Sequence, residues 1–297
     1  MTAALPTPGT TPEAAPGTTP ATAPAPDPAP DRPTPLDTWV ARVPALREFG
    51  YWMRRYRRIW RGSVVISVVN PLLFLAALGG GLGKLVDAHH SGHLAGTPYL
   101  DFLAPGLLAA SAMQNAFVEG AFPVFQSARA QGNYPAAAAT AMRPGDILAG
   151  HLLFVVFRIL TSGALFLAVT VAFGVTGPGR ALLTLGPVLL TGTAFAMPLV
   201  AWSITVERPS RINGVYRFVL MPLYMFSGTF FPASQLPGAL RTVAACTPLY
   251  QGVELTRHTA LGTAGTAASA VHTGYLLTLT LTGIVLARRG YTRRLHR

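Results

Sequence analysis

Residues 181–206 form one uninterrupted stretch without a charged side chain, and most of them are apolar. A helix needs about 20 predominantly apolar residues to cross the hydrocarbon core of a bilayer, and this stretch is long enough to do so. The chain is 51% hydrophobic and 11% charged, whereas soluble domains carry about 25% charged residues. The sequence therefore predicts an all-α, polytopic membrane protein.

Five other segments are apolar over a similar length, although some of them contain an isolated charge. Together with the first they predict six transmembrane helices, at residues 62–83, 99–125, 147–175, 181–206, 214–231 and 264–287. An even number of spans places the two termini on the same side of the membrane.

Arginines are distributed unevenly between the two sides of this arrangement. Most stand before the first span, after the sixth span, or in the loops that follow the second and fourth spans. The opposite loops contain only Lys84, Arg180, Arg241 and Arg257. Because cytoplasmic loops carry the excess of Lys and Arg, we predict that both termini are cytoplasmic. The net charge of +12 then reflects topology and does not indicate a nucleic-acid partner.

Two segments of different composition precede the first span. Residues 1–36 are built mainly from Pro, Ala and Thr, which predicts a disordered cytoplasmic tail. Residues 37–61 carry apolar side chains at three- and four-residue steps, which predicts an amphipathic interfacial helix with arginines on its other face. Its apolar face consists of Leu46, Phe49, Met53, Tyr56 and Trp60. This helix is either a positively charged anchor or a lever that transmits motion from a cytoplasmic partner into a six-helix domain at residues 62–297.

Residues of the kinds that support catalysis or metal binding are sparse. The single cysteine, Cys246, rules out an internal disulfide framework and a cysteine-based zinc cluster. His151 and His272 could meet inside the membrane, but neither has a carboxylate or thiol at ligand spacing beside it. The glycine-rich residues 78–84 lack the first Gly and the Ser/Thr of a phosphate-binding loop. We predict no catalytic, cofactor-binding or metal-binding residue; an intramembrane enzyme that uses His151 or His272 is the alternative.

Two ionisable residues fall well inside predicted spans. Glu119 lies late in the second span and Arg158 lies part-way along the third. At 1.5 Å of rise per residue, their predicted depths differ by less than about two helical turns. Since a charge in the bilayer normally faces a partner or a wet cavity, we predict a Glu119–Arg158 pair; separate solvation of each is the alternative. A proton-coupled secondary transporter that uses Glu119 is a further alternative, although no clear internal repeat supports it.

Four segments occur in the order seen in one family of membrane proteins. They are YLDFLAPGLLAASAM at residues 99–113, AMRPGDILAGHLL at 141–153, FVLMPLYMFSGTFFPASQLP at 218–237 and TPLYQGVELTR at 247–257. The chain resembles ABC-2 type transporter permeases from Trp39 to its C-terminus. The nearest branch contains the lipo-oligosaccharide (nodulation factor) exporters and the daunorubicin-resistance permeases.

The resemblance implies a six-helix permease of the bacterial cytoplasmic membrane that forms a homodimer and docks on two copies of a separate ATPase subunit. ATP and Mg would then be bound by that partner subunit. The cytoplasmic loop after the second span would carry a coupling helix, and short re-entrant helices would follow the fifth span. Coupling-helix candidates are Ser127, Arg129, Gln131, Asn133, Tyr134 and Arg143.

The end of the fifth span is the segment most typical of this family. Gly228 and Pro232 are expected to end the helix and to turn the chain back toward the membrane. Candidates for lining or gating the path are Asn115, Glu119, Arg158, Tyr224, Phe226, Phe230 and Phe231. We predict export of an amphipathic substrate, and the sequence leaves open whether this is a glycolipid, a lipo-oligosaccharide or a hydrophobic drug.

Overall fold

The computed structural model describes residues 43–82, 98–129, 132–263 and 265–295, and these ranges contain helices and no strand. The predicted tail at residues 1–36 and Gln131 lie outside the described residues. The α-helices in chain order are α1 Pro44–Phe74, α2 Tyr99–Gly120, α3 Phe122–Ser127, α4 Asn133–Ala138, α5 Pro144–Ala172, α6 Pro178–Ser203, α7 Pro209–Val215, α8 Met221–Phe226, α9 Gly238–Ala245, α10 Pro248–Leu261 and α11 Thr266–Leu295. Two π-helical segments, Leu75–Leu82 and Tyr216–Leu220, and a 3-10 turn at Ala233–Gln235 complete the described structure.

Three helices in the described part of the chain, α5, α6 and α11, are long and apolar enough to cross a membrane. They correspond to the third, fourth and sixth predicted spans, so the all-helical membrane character of the chain is confirmed for these segments. The segments predicted as spans one, two and five are not among these three helices, so the number of six spans stays a prediction.

Helix α2 forms the centre of the bundle. Every residue from position 102 to position 113 is buried, and the helix packs against α5, α6 and α10. This stretch consists mainly of Ala, Gly and Leu, whose small or compact side chains allow neighbouring helices to approach from all sides. Helix α2 is therefore the element on which side chains from the other helices converge.

The segment predicted as the fifth span, residues 214–231, is helical only as far as Phe226 and contains a π-helical turn. Helix α7 passes through a π-helical turn into α8, which ends at Phe226. Pro222 lies in the first turn of α8 and has no N–H, and the N–H of Met221 bonds to the carbonyl of Tyr216, five residues back. Helical hydrogen bonding stops before the Gly228 turn, so the helix ends five residues before the predicted bound at Phe231.

Helix α1 runs without a break through the expected junction at residues 61–62. With 31 residues it is about 46 Å long, which is longer than a bilayer core is thick. Its packed face matches the predicted one only in part. Leu46, Phe49, Met53 and Tyr56 are half-buried, but Glu48 and Trp52 are the most buried of its described side chains and Trp60 is 47% exposed. Most of the packing that the structure describes for α1 is against α5. The connecting segment and the bundle therefore form one packed unit.

Candidate coupling and translocation site

A buried ion pair joins α2 to α5. The Nε of Arg158 lies 2.8 Å from the Oε1 of Glu119, and Arg158 is 1% exposed. The Nη1 of Arg158 also donates a hydrogen bond of 3.0 Å to the Tyr56 hydroxyl, and its Cζ lies 4.6 Å from the centroid of the Tyr56 ring. The predicted pairing of Glu119 with Arg158 is therefore confirmed, and Tyr56 extends it to α1.

The partners of Arg158 explain why its charge tolerates burial. A buried guanidinium without a partner costs several kcal/mol, and the pair with Glu119 offsets much of that cost. The Tyr56 hydroxyl and ring add a hydrogen bond and a cation–π contact. Because the three groups come from three helices, the pair fixes the relative positions of α1, α2 and α5.

His151 is fully buried next to the same helix end. Its Nε2 lies 3.1 Å from the backbone carbonyl of Glu119. That carbonyl would ordinarily accept from the N–H four residues later, but position 123 is a proline and has none. His151 therefore donates from Nε2 and replaces the missing helical hydrogen bond.

The two histidines considered for catalysis do not converge. His151 contacts Trp52 and Tyr134, with ring centroids 4.5 Å and 6.1 Å away. His272 instead hydrogen-bonds to Gln251 and stacks near His258. Among the described residues, no group of three or more His, Cys, Asp or Glu side chains is arranged to hold a metal ion. The geometry gives His151 a structural role.

A second buried polar group links α1 to the segment that was expected to contain the coupling helix. Glu48 is 3% exposed, and its Oε1 accepts hydrogen bonds from the Trp52 Nε1 at 2.8 Å and from the Asn133 Nδ2 at 2.6 Å. Burial raises the pKa of the Glu48 carboxyl, and the two hydrogen bonds oppose that rise. Sequence reasoning missed Glu48 and Trp52; the signal was an acidic side chain in an otherwise basic helix.

Tyr134 ties the same segment to α11. Its hydroxyl accepts a hydrogen bond of 3.0 Å from the Tyr291 hydroxyl, and both tyrosines are fully buried. Burial raises the pKa of Tyr134 well above its usual value, so the hydroxyl stays protonated. Near its start, α1 approaches α5 very closely, because a Cβ added to Gly150 would lie 2.4 Å from the Ala45 carbonyl oxygen. Residues 133–134 are thus held between α1 and α11.

Three other predicted coupling residues that the structure describes, Ser127, Arg129 and Arg143, do not join this cluster. The Arg129 Nη2 donates to the Glu207 carbonyl at 2.6 Å, and its guanidinium lies 4.3 Å from the Phe125 ring centroid. Ser127 is buried, whereas Arg143 is exposed at the start of α5. Their roles in coupling remain predictions. Among the coupling candidates in the described ranges, only Asn133 and Tyr134 meet other helices through buried polar groups.

The opposite end of the bundle is organised by Arg257 of α10. Its Nη2 donates to the Gly228 carbonyl at 2.8 Å, and its Nη1 pairs with the Glu254 Oε1 at 2.5 Å. The guanidinium Cζ lies 3.9 Å from the Phe102 ring centroid. Gly228 itself has φ of +79°, a conformation that favours glycine, which confirms the expected helix break. Arg257 was read in the sequence only as a loop charge, because two of its three partners, Gly228 and Phe102, are distant in the chain.

The predicted gate residues fall into three environments. Phe230 packs edge-to-face on Tyr224 with centroids 5.0 Å apart, and its carbonyl accepts from the Tyr99 hydroxyl at 3.1 Å. Phe231 is half-buried, whereas Phe226 is 47% exposed on α8.

Asn115, another predicted pathway residue, lies in the interior. Its Nδ2 donates to the Ser111 carbonyl and to the Ser162 Oγ at 3.0 Å, which ties α2 to α5. The part of the predicted gate residues in a translocation path stays a prediction.

The sequence of this chain is similar to those of known proteins. The sequence profile of the ABC-2 type transporter family matches residues 49–261, more than half of the chain. The chain belongs to the ABC-2 type transporter family. Nodulation protein J of Rhizobium meliloti (strain 1021) is 31% identical over 234 residues, which cover 75% of this chain and 87% of that protein. Nodulation protein J of Rhizobium leguminosarum bv. trifolii is 32% identical over 224 residues, 73% and 82% of the two chains.

A further relative of this ABC-2 permease is itself named as a transport permease. The inner membrane transport permease YadH of Escherichia coli (strain K12) is 27% identical over 213 residues, covering 71% of this chain and 80% of that protein. Family membership makes the chain a membrane subunit of an ABC transporter and implies an ABC ATPase as its partner. The matched region contains the Glu119–Arg158 pair and Arg257, whereas Glu48 and Tyr291 lie outside it.

Proposed function

We propose that this ABC-2 permease is the transmembrane half of an ATP-driven exporter of amphipathic molecules in the bacterial cytoplasmic membrane. Two copies of the chain form the path, each with six spans and cytoplasmic termini. Two copies of a separate ATPase subunit bind ATP and Mg and drive the cycle. The observation that carries the proposal is the buried contact of Asn133 with Glu48, which connects the expected ATPase-facing segment to the bundle.

Force from the ATPase enters at residues 127–143 and leaves through two buried contacts. Asn133 transmits it to α1 through Glu48, and Tyr134 transmits it to α11 through Tyr291. Helix α1 then acts on α2 and α5 through Tyr56, Arg158 and Glu119. Because α1 is one continuous helix, displacement of its start moves its far end as well. The lever interpretation of the amphipathic segment is therefore preferred over the anchor.

The outer gate is formed by the turn after α8. Arg257 holds the Gly228 carbonyl, and Tyr99 holds the Phe230 carbonyl, so the turn is attached to both α2 and α10. Rotation of α8 would release Phe230 from Tyr224 and open the path toward the outside. Short helices α9 and α10 follow this turn and serve as the re-entrant cap.

The cargo is an amphipathic glycolipid, lipo-oligosaccharide or hydrophobic drug. Exposed apolar side chains on the π-helical turn and on α8 support this class, since Phe218 is 78% exposed and Phe226 is 47% exposed. Such a surface suits lipid, a second copy of the chain, or an apolar cargo at the dimer interface.

Reconstitution with the ATPase subunit tests the proposal. ATP-dependent accumulation of daunorubicin, or of a fluorescent lipo-oligosaccharide, is measured in inside-out vesicles. We expect deletion of residues 131–139 to abolish transport and to remove stimulation of the ATPase by the permease. Transport at the wild-type rate in vesicles without the ATPase would refute the proposal.

A further inference from the structure

A groove of about 830 Å³ opens between α5 and α11. One side is formed by the end of the segment after α4 and the first turns of α5, and the other by the last turns of α11. The groove includes Arg143, a predicted coupling residue, but no predicted pathway residue. Its charged lining residues all lie at one end, among apolar neighbours that include Ala138, Met142 and Leu295, and the other end is lined by apolar residues alone.

The polar part lies at the start of α5 and the end of α11. It carries the exposed arginines Arg143 and Arg288 together with Asp146. The Asp146 Oδ2 accepts from the backbone N–H of Arg143 at 3.2 Å, so this carboxylate caps its own helix. Two guanidinium groups against one carboxylate leave this part of the groove with an excess of positive charge.

The apolar part lies after the first turn of α5 and about one turn before Arg288 on α11. Leu148 and Leu152 of α5 face Ile284 of α11 across it. From Arg143 to Leu152 the groove follows α5 for about 13 Å. A ligand that fills the groove therefore has an anionic group at one end and an apolar chain at the other.

We infer that this groove binds an anionic phospholipid, with the phosphate between Arg143 and Arg288 and one acyl chain along Leu148, Leu152 and Ile284. Charge and shape both favour this occupant over a soluble phosphate, which would leave the apolar part empty, and over zwitterionic lipid, whose net charge is zero. Arginine is well suited to phosphate because its planar guanidinium donates two parallel hydrogen bonds. The inference does not rest on the proposed export function.

Binding is tested on the purified full-length protein by native mass spectrometry, with phosphatidylglycerol and phosphatidylcholine of the same acyl chains. The Arg143→Gln/Arg288→Gln variant is compared with Arg289→Gln/Arg294→Gln, which removes the same charge from exposed arginines that do not line the groove. Each groove arginine is expected to contribute about fivefold to the preference for phosphatidylglycerol. The first variant should thus lose that preference about 25-fold, and the second should retain it. Equal losses in the two variants would refute the site.

The acyl part is tested separately by steric blocking. Ala149 lines the groove, so Ala149→Trp should displace both lipids while leaving all charges in place. Leu153→Trp is the matched control, because Leu153 is 46% exposed on the same helix outside the groove. Displacement of phosphatidylglycerol by glycerol 3-phosphate would show a free-phosphate site and contradict the inference.

The location is tested with a phosphatidylglycerol that carries a photoactivatable acyl chain. Crosslinks should map to residues 138–152 and 284–295, and they should be lost in Ala149→Trp. Crosslinks confined to other segments, or retained in Ala149→Trp, would overturn the assignment.

Discussion

The carboxylate of Glu48 lies 2.6 Å from the amide nitrogen of Asn133, although 85 positions separate the two residues in the chain. This contact joins the start of α1 to the segment that the family resemblance assigns to ATPase coupling. Both residues are charged or polar, and neither belongs to an apolar pattern. Their pairing indicates that the interfacial part of α1 is fixed to the coupling segment by a specific polar contact as well as by apolar packing.

Glu48 should make the stability of the permease depend on pH. Burial raises the pKa of its carboxyl above the usual value of 4.5, so the folded protein holds this proton more tightly than the unfolded chain. The stabilising contribution of the protonated group is present below about pH 4.5 and is lost as the pH rises through the folded-state pKa. Glu48→Gln removes this titration. As the pH rises through the folded-state pKa of Glu48, the unfolding temperature of the variant should therefore rise relative to that of wild type. The exposed Glu207→Gln variant serves as control and should follow wild type at every pH.

Asn133→Ala should uncouple ATP hydrolysis from transport. The substitution removes one donor to the Glu48 carboxylate, and hydrogen bonds to charged groups contribute about 1.5–3 kcal/mol. We expect the ATPase subunit to bind and hydrolyse ATP while the transported amount per ATP falls. Pro135→Ala is the control, because its side chain makes no polar contact with α1. A parallel loss of ATPase binding would assign Asn133 to the docking surface instead.

Glu119 and Arg158 should act as one unit in a double-mutant cycle. Each single substitution to Gln leaves the other charge buried and should destabilise the fold by about 3–5 kcal/mol. The double variant removes both charges, so its loss should be smaller than the sum by about 0.5–3 kcal/mol. Unfolding in mixed micelles measures all four forms. Additive losses would contradict the coupling that the 2.8 Å contact implies.

His151→Ala should be partly rescued by Pro123→Ala. The first substitution leaves the Glu119 carbonyl without its donor, at a cost of about 1–3 kcal/mol. The second supplies a backbone N–H at the position where an α-helix places it. The double variant should therefore be more stable than His151→Ala in thermal unfolding. A double variant no more stable than His151→Ala would show that the imidazole acts through its ring contacts.

Gly228→Ala should weaken the fold of the outer turn through its backbone. The φ of +79° costs a residue with a Cβ about 1–2 kcal/mol, and no atom lies closer than 3.8 Å to the added carbon. Transport should fall more in Gly228→Ala than in Gly228→Asn, since Asn adopts this conformation more readily. Gly238→Ala is the control, because Gly238 lies in a helix with open space around it. Wild-type transport by Gly228→Ala would show that the turn does not gate the path.

The pairing of Glu119 with Arg158 follows from the depth of each residue along its helix, and the sequence was sufficient to predict it. Residues 119 and 158 lie on helices of opposite direction, and a constant rise per residue places them at similar depths. An uncompensated charge at that depth is costly, so the pairing was the favoured outcome. The Gly228 turn was equally local, because Gly and Pro mark a helix end through their own backbone preferences.

Other features depend on which face of a helix meets which neighbour. The apolar spacing of α1 predicted a face that extends to Trp60, but Trp60 is exposed and the most buried of the described side chains of α1 are Glu48 and Trp52. Tyr134 and Tyr291 are 157 positions apart, and no local pattern relates them. The sequence by itself determined the helical, membrane-embedded character and the depth of its charges, because these depend on hydropathy and rise along one dimension. Only the tertiary structure decided how Glu48 and Arg257 are used, because rotation and packing of the helices select their partners.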